Sequence, residues 1–311
     1  MTKGNLKAFI LFLLVITLFP LVFGGSSYTV SIGLFAGINA LVALGLSVLM
    51  GYAGQISLGQ AGFYGIGAYV SAILSLRGFP VAASMAVAML VSAAAAVVLA
   101  IPALRLKGHY LAVATLGFGE IINVALNEWG PGGPSGFGDI PHFSIFGYTV
   151  DSTNVYFYLV WGIVAVVMLF SFNLINSRIG RAFRAIHDSE LASNAMGVDV
   201  SFLKVKVFVL SALYASLAGA LYAHYITFVS PGNFSLFYSV LVLMMAVIGG
   251  INNLWGAVVG AIFVTVLPEL LREFKEFDVL AYGLILTLSL LYFRKGFVPL
   301  VVERMERRRS G

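Results

Sequence analysis

The sequence predicts an all-α polytopic membrane protein of about ten transmembrane helices. Three observations carry that expectation: long apolar runs fill the chain, charge is scarce, and Lys and Arg crowd into alternate loops. Of the 311 residues, 60% are apolar and 10% charged, whereas a soluble domain uses about 25% charged residues to cover its surface. A bilayer core about 30 Å thick needs about 20 apolar residues per helix. Runs of that kind lie at about 8–23, 30–50, 61–76, 81–101, 110–127, 155–175, 205–229, 236–250, 254–270 and 279–293. None alternates with the period of a barrel strand, and lipid does not tolerate open sheet edges, so helices are expected throughout.

The first run follows Lys3 and Lys7 and resembles the core of a signal peptide. It is longer than most, and Pro20 to Phe23 makes a poor cleavage approach, so it reads as a retained first helix. Ten crossings put both termini on one side, and the loops test this independently of hydropathy. One side collects fifteen basic residues (Lys3, Lys7, Arg105, Lys107, Arg178, Arg181, Arg184, Lys204, Lys206, Arg294, Lys295, Arg304, Arg307, Arg308 and Arg309) and the other three (Arg77, Arg272 and Lys275). The basic side is expected to be cytoplasmic, with both termini in the cytoplasm of a multi-pass cytoplasmic (inner) membrane protein. The net charge of +5 is spread over short loops and forms no nucleic-acid patch. With no cysteine, disulfides and thiolate metal sites are excluded.

Residues 1–311 read as a single transmembrane domain with two long connections. The outer one, 129–154, holds Gly130, Pro131, Gly132, Gly133, Pro134, Gly136 and Gly138, which specify turns. In the inner one, 176–204, Ile179, Ala182, Phe183 and Ile186 follow the spacing of one helical face, with Arg181, Arg184 and Asp188 turned elsewhere. A second short helix starts near Asp188 or Ser189 and stops at Gly197. Two readings of this pair stand: an apolar face resting on lipid headgroups, or a ridge that docks in a groove of a cytosolic partner.

Two stretches break the apolar pattern. Between Gly51 and Gly67 there are six glycines, each costing about 1 kcal/mol against Ala in a helix, with Gln55, Ser57 and Gln60 beside the break. A weaker counterpart runs from Gly249 through Asn252 and Asn253 to Gly260. Matching breaks in two halves point to a weak internal repeat whose interface forms a substrate path, with the two breaks meeting near the middle of the protein around a cavity. Close helix packing is the other reading, since Gly256 and Gly260, like Gly33 and Gly37, form GxxxG pairs. Glu120 is the ionisable residue expected inside a run, on one face with Asn123 and Asn127; it serves either a hydrogen bond to a neighbouring helix or the path. His109, His142, His187 and His224 lie in scattered contexts. No HExxH, GxSxG or GxxxxGK[ST] occurs, so neither an intramembrane enzyme nor a resident ATPase is indicated. A secondary transporter needs a relay of buried ionisable groups, and only Glu120 is on offer.

Five segments carry a family resemblance: GYAGQISLGQAGFYGIGAYV at 51–70, LRLKGHYLAVATLGFGEII at 104–122, the Gly/Pro loop at 130–138, RAFRAIHDSELASNAMGVDV at 181–200 and AVIGGINNLWGAVVGA at 246–261. In this order they resemble the LivM-type permeases of branched-chain amino acid ABC importers. The resemblance implies a second, LivH-like permease, two cytosolic ATPase subunits that bind ATP and Mg, and an extracytoplasmic amino-acid-binding protein, with no cofactor in this chain. It also implies that 176–204 is the ATPase coupling element, with Ile179, Arg181, Ala182, Phe183, Ile186, Glu190 and Gly197 as its residues. The general importer pattern sets an acid six residues before a glycine, and Glu190 precedes Gly197 by seven. Gln55, Ser57, Gln60, Glu120, Asn123, Asn252 and Asn253 are the candidates for the translocation path.

Overall fold

A computed structural model describes residues 3–103, 106, 108–145, 148–271, 283, 284 and 287. In chain order the helices are α1 (Lys3–Phe23), α2 (Ser27–Leu46), α3 (Gln60–Leu76), α4 (Val81–Ala103), α5 (His109–Trp129), α6 (Thr153–Asn176), α7 (Arg178–Asp188), α8 (Glu190–Ala195), α9 (Val200–Ile226), α10 (Leu236–Gly249) and α11 (Leu254–Leu271). The chain is an all-α membrane protein. Six helical stretches are long and apolar enough to cross a bilayer, and Ala8–Phe23 and Leu236–Gly249 are shorter apolar helices, among the described residues. The expected last run, 279–293, lies almost wholly outside the described residues.

Helices α2, α3 and α9 form the centre. Gln60 meets Ser211, Gly67 meets Ser216 and Ser71 meets His224, so α3 and α9 run parallel. Ser31 pairs with Tyr225 and Gly45 packs on Ser211, so α2 runs against α9. Lipid tails are as apolar as side chains, so this association rests on close packing and interhelical hydrogen bonds rather than on expelling water. The sequence supplies both. A Cβ on Gly67 would lie 2.1 Å from the Ser216 carbonyl oxygen, and Tyr156 Oη on α6 donates to the Leu221 carbonyl at 2.7 Å.

The α10–α11 hairpin has the same origin. A Cβ on Gly260 would lie 1.9 Å from the Met245 carbonyl oxygen, and one on Gly256 2.3 Å from that of Gly249. These glycines therefore serve close packing, the second of the two readings open from the sequence. The Gly/Pro connection forms turns as expected, with a short β-hairpin, β1 (Ser144–Ile145) and β2 (Tyr148–Thr149). It is tied to the end of α9 by the Phe137–Val229 bridge and by His224 Nδ1, 2.7 Å from the Pro141 carbonyl oxygen.

Candidate functional site

The first break begins one turn earlier than the glycine pattern suggests. Helix α2 loosens into π-helical turns over Ser47–Tyr52, a local form frequent at functional sites, and residues 54–59 are irregular. This loosened end meets the second break. Ser47 Oγ donates to the Ile251 carbonyl at 2.9 Å, and Tyr52 Oη donates to the Asn252 carbonyl at 2.9 Å. Gly51 faces the same strand of backbone, where a Cβ would lie 2.0 Å from the Ile251 carbonyl oxygen. Two backbone carbonyls of the second break, which lipid cannot satisfy, are thus satisfied by side chains of the first. The meeting point sits at the α7 end of the bundle: a cleft of about 540 Å³ there is lined by Gly51, Tyr52, Asn176, His187, Asp188 and Asn252, among others. The expected meeting halfway along the protein is corrected accordingly; the segments that touch are 47–52 and 251–252.

Gln55, Ser57 and Gln60 lie behind this junction, buried. Three helices hold the stretch that carries them: Leu58 N–H donates to Thr115 Oγ1 of α5 at 2.9 Å, Gln60 Nε2 to Ser211 Oγ of α9 at 3.0 Å, and Ala61 N–H to Ser239 Oγ of α10 at 3.0 Å. Both amide atoms of Gln55 and Oε1 of Gln60 find no partner among the described residues, and an orphan polar atom inside a protein costs about 1–3 kcal/mol. Asn253 has a different task. Its Oδ1 accepts from Trp255 N–H at 3.0 Å, which makes it the N-cap of α11.

Helix α5 is the least buried of the six long apolar helices. Gly119 packs its backbone toward Gly59 and Gly62, and Glu120, next in the chain, is exposed on the other side. Glu120 lines a shallow cleft of about 600 Å³ with Gly117, Ile121 and Val124. At 1.5 Å per residue it lies about 16 Å from the start of the helix and about 13 Å from its end. It does not join the two asparagines: Asn123 Nδ2 donates to the Pro231 carbonyl at 2.8 Å, and Asn127 Nδ2 donates back to Asn123. Sequence reasoning missed a second carboxylate in an apolar helix, Glu269, which accepts a hydrogen bond from Tyr28 Oη; its position one residue after Pro268 within the run at 254–270 was the available signal.

The connection 176–204 forms the two expected short helices. Ser177 Oγ accepts from the Ile179 and Gly180 amides at the start of α7, and Ser189 Oγ caps α8. At the far end Gly197 takes φ +81, with Gly197 N–H bonded to the Asn194 carbonyl and Val198 N–H to the Ser193 carbonyl, a Schellman stop. Half of the apolar ridge faces inward: Phe183 is 2% exposed and Ile186 3%, and both pack on the chain's own core, whereas Ile179 is exposed and Ala182 half-buried. Among the side chains turned outward are Leu191, 81% exposed, and Met196, 72%, together with Arg181 and Arg184. Glu190 reaches Lys204 Nζ at 2.5 Å, an ion pair that ties α8 to α9.

An all-helical membrane bundle with two helix breaks joined at one end and a short helix pair over that end fits a transport subunit, the class to which its relatives assign it. A family profile described as "Branched-chain amino acid transport system / permease component" matches residues 28–293. The chain is 34% identical to the high-affinity branched-chain amino acid transport system permease protein LivM of Salmonella typhimurium, over 96% of this chain and 76% of that protein. It is also 34% identical to LivM of Escherichia coli, over 89% of this chain and 72% of that one. A probable LivM of Methanocaldococcus jannaschii is 24% identical over 76% of this chain and 69% of that one. No solved structure matches. The chain belongs to the family of branched-chain amino acid transport permeases.

Proposed function

We propose that the chain is one of two permease subunits of an ATP-driven importer that moves branched-chain amino acids across the cytoplasmic membrane. The observation that carries the reading beyond the family is the exposed Glu120 at the middle of the least buried long apolar helix. A carboxylate at that depth costs about 3 kcal/mol or more when it faces lipid, so this face of α5 is expected to lie against a second, LivH-like permease, with the substrate path between them. A carboxylate on that path favours the ammonium group of an amino acid. The orphan amide atoms of Gln55 and Gln60 supply polar partners further in, beside the start of α3, whose positive end attracts the substrate carboxylate.

In this reading residues 1–311 form one domain of ten spans, the last over 279–293, with both termini cytoplasmic. The 176–204 connection then faces the cytoplasm and docks on one of two cytosolic ATPase subunits, which bind ATP and Mg; an extracytoplasmic binding protein delivers the amino acid. Leu191 and Met196 are the apolar knobs of the docking surface, framed by Arg181 and Arg184, while Phe183 and Ile186 anchor α7 from behind.

The test is reconstitution of the chain with a second permease, the ATPases and the binding protein in proteoliposomes, with uptake of labelled leucine, isoleucine and valine measured. Uptake that requires internal ATP is expected. Uptake driven by an ion gradient without the ATPases would make the chain a secondary carrier, and uptake of urea or other amino acids alone would overturn the substrate assignment.

A further inference from the structure

A helix end leaves carbonyl groups without partners along the helix, and the end of the π-helical segment is resolved in an unusual way. The amides of Gly54 and Gln55 return to the Met50 and Leu49 carbonyls, and that of Ala53 to Met50 as well. The Gly51 carbonyl is met from outside the segment, by His187 Nδ1 at 3.0 Å. A carbonyl oxygen only accepts, so Nδ1 carries a proton and donates. The backbone then turns over the ring: Gly54 has φ +67, and a Cβ there would lie 3.2 Å from His187 Cδ2. A side chain at position 54 would therefore be strained by the backbone and crowd the imidazole.

His187 stands in the last turn of α7, and the segment it holds is the one bonded through Ser47 and Tyr52 to the second break. A displacement of α7 thus acts on a carbonyl whose helix carries the far break with it. The buried side chains of α7, Phe183 and Ile186, make apolar contacts, which are non-directional and permit sliding. A hydrogen bond weakens steeply as it misaligns and so transmits orientation.

We propose that His187 is the positioning residue through which the 176–204 connection moves both helix breaks, linking ATP hydrolysis to opening of the path. The proposal rests on the reading of that connection as the ATPase coupling element. It predicts a defect in coupling rather than in assembly. His187→Leu removes the donor, while His187→Asn places an amide N–H near the position of Nδ1. Tyr52→Phe breaks the relay one step later with almost no change of shape.

The experiment measures, for the complete complex in proteoliposomes, substrate molecules taken up per ATP hydrolysed. His187→Leu is expected to lower that ratio at least about fivefold, the lower end of ordinary couplings between sites, with ATPase subunits still bound. His187→Asn is expected to restore most of it, and Tyr52→Phe to lower it. An unchanged ratio in His187→Leu, or an equal fall in His187→Leu and His187→Asn, would overturn the proposal. Should His187→Leu fail to reach the membrane, an unchanged ratio in the double variant Ser47→Ala, Tyr52→Phe, which removes both bonds to the second break, overturns it alone. Uptake by the wild-type complex that ignores ATP would instead remove the underlying reading, so the two failures are distinct.

Discussion

The hydroxyl of Tyr52 donates a 2.9 Å hydrogen bond to the carbonyl of Asn252, a residue 200 positions away. Each partner sits where a helix has lost its regular hydrogen bonding, Tyr52 at the π-helical end of α2 and Asn252 between α10 and α11. The carbonyls of the second break at Ile251 and Asn252, which lipid could not satisfy, accept from the Ser47 and Tyr52 side chains of the first. Changing either one alters both.

Gly51→Ala tests how tight that pairing is. The new methyl would lie 2.0 Å from the Ile251 carbonyl oxygen, and backbone cannot give way as a flexible side chain does. A loss of about 1–3 kcal/mol is expected, read as a lower thermal midpoint of the purified protein in detergent. Gly162→Ala is the control: no atom of the described residues lies within 4 Å of a Cβ there, and alanine is the better helix former by about 1 kcal/mol. Equal midpoints for the two variants would mean that the contact is loose.

Asn253→Leu should cost about 1 kcal/mol by removing the cap of α11, and Asn253→Ser should recover most of it, because serine presents an oxygen to the same amide. The check is the thermal midpoint again, with uptake measured beside it. Uptake lost in Asn253→Ser at full stability would assign the amide to the path rather than to the helix end.

Much of this architecture is legible in the sequence because bilayers impose strict local rules. Apolar run length marks most of the spans, Ser189 and Gly197 mark the bounds of α8, and the glycines of 51–67 mark the first break. The side to which α7 turns its ridge is not legible. The spacing of Ile179, Ala182, Phe183 and Ile186 states only that one face is apolar, and that face fits its own bundle as well as a partner. Asn252 and Asn253 are adjacent in sequence, yet one presents a carbonyl to Tyr52 and the other caps a helix. His187 carries no sequence signal, since its partner is a backbone carbonyl that any residue type would offer.

The outward surface of the helix pair yields a separable prediction. Leu191→Asp and Met196→Asp each place a carboxylate on an exposed knob, so the chain should insert and fold normally while co-purification with the ATPases falls about tenfold or more. Phe183→Asp buries the same charge in the core, where a lone carboxylate costs several kcal/mol, and should reduce the amount of folded chain itself. Full ATPase recovery with Leu191→Asp and Met196→Asp together would return the helix pair to a role on the lipid surface.

Orientation is open to a clean chemical test, because the native chain has no cysteine. Ser135 in the Gly/Pro connection and Ser189 between α7 and α8 are both exposed. A membrane-impermeant thiol reagent applied to intact cells should label Ser135→Cys and leave Ser189→Cys unlabelled until the cells are opened. The reverse pattern would invert the chain and remove the cytoplasmic docking surface with it.

The most consequential prediction concerns Glu120, because its surroundings in the complex separate three roles. On a path between two permeases it meets water and substrate; buried at a dry interface it bonds to the neighbour; facing lipid it does neither. A thiol reacts as thiolate, whose formation needs water or a positive neighbour, so Glu120→Cys in the assembled complex should react with a small charged methanethiosulfonate and be protected by saturating substrate. Glu120→Gln keeps the shape and the hydrogen-bonding capacity but removes the charge that would meet the ammonium group. Assembly should therefore persist while uptake falls about tenfold, equivalent to about 1.4 kcal/mol of lost stabilisation. A variant Glu120→Leu that dissociates the permease pair would assign the carboxylate to the interface. Unreactive cysteine together with unchanged uptake in Glu120→Leu would place it against lipid, and the second permease would then have to be sought on another face of the bundle.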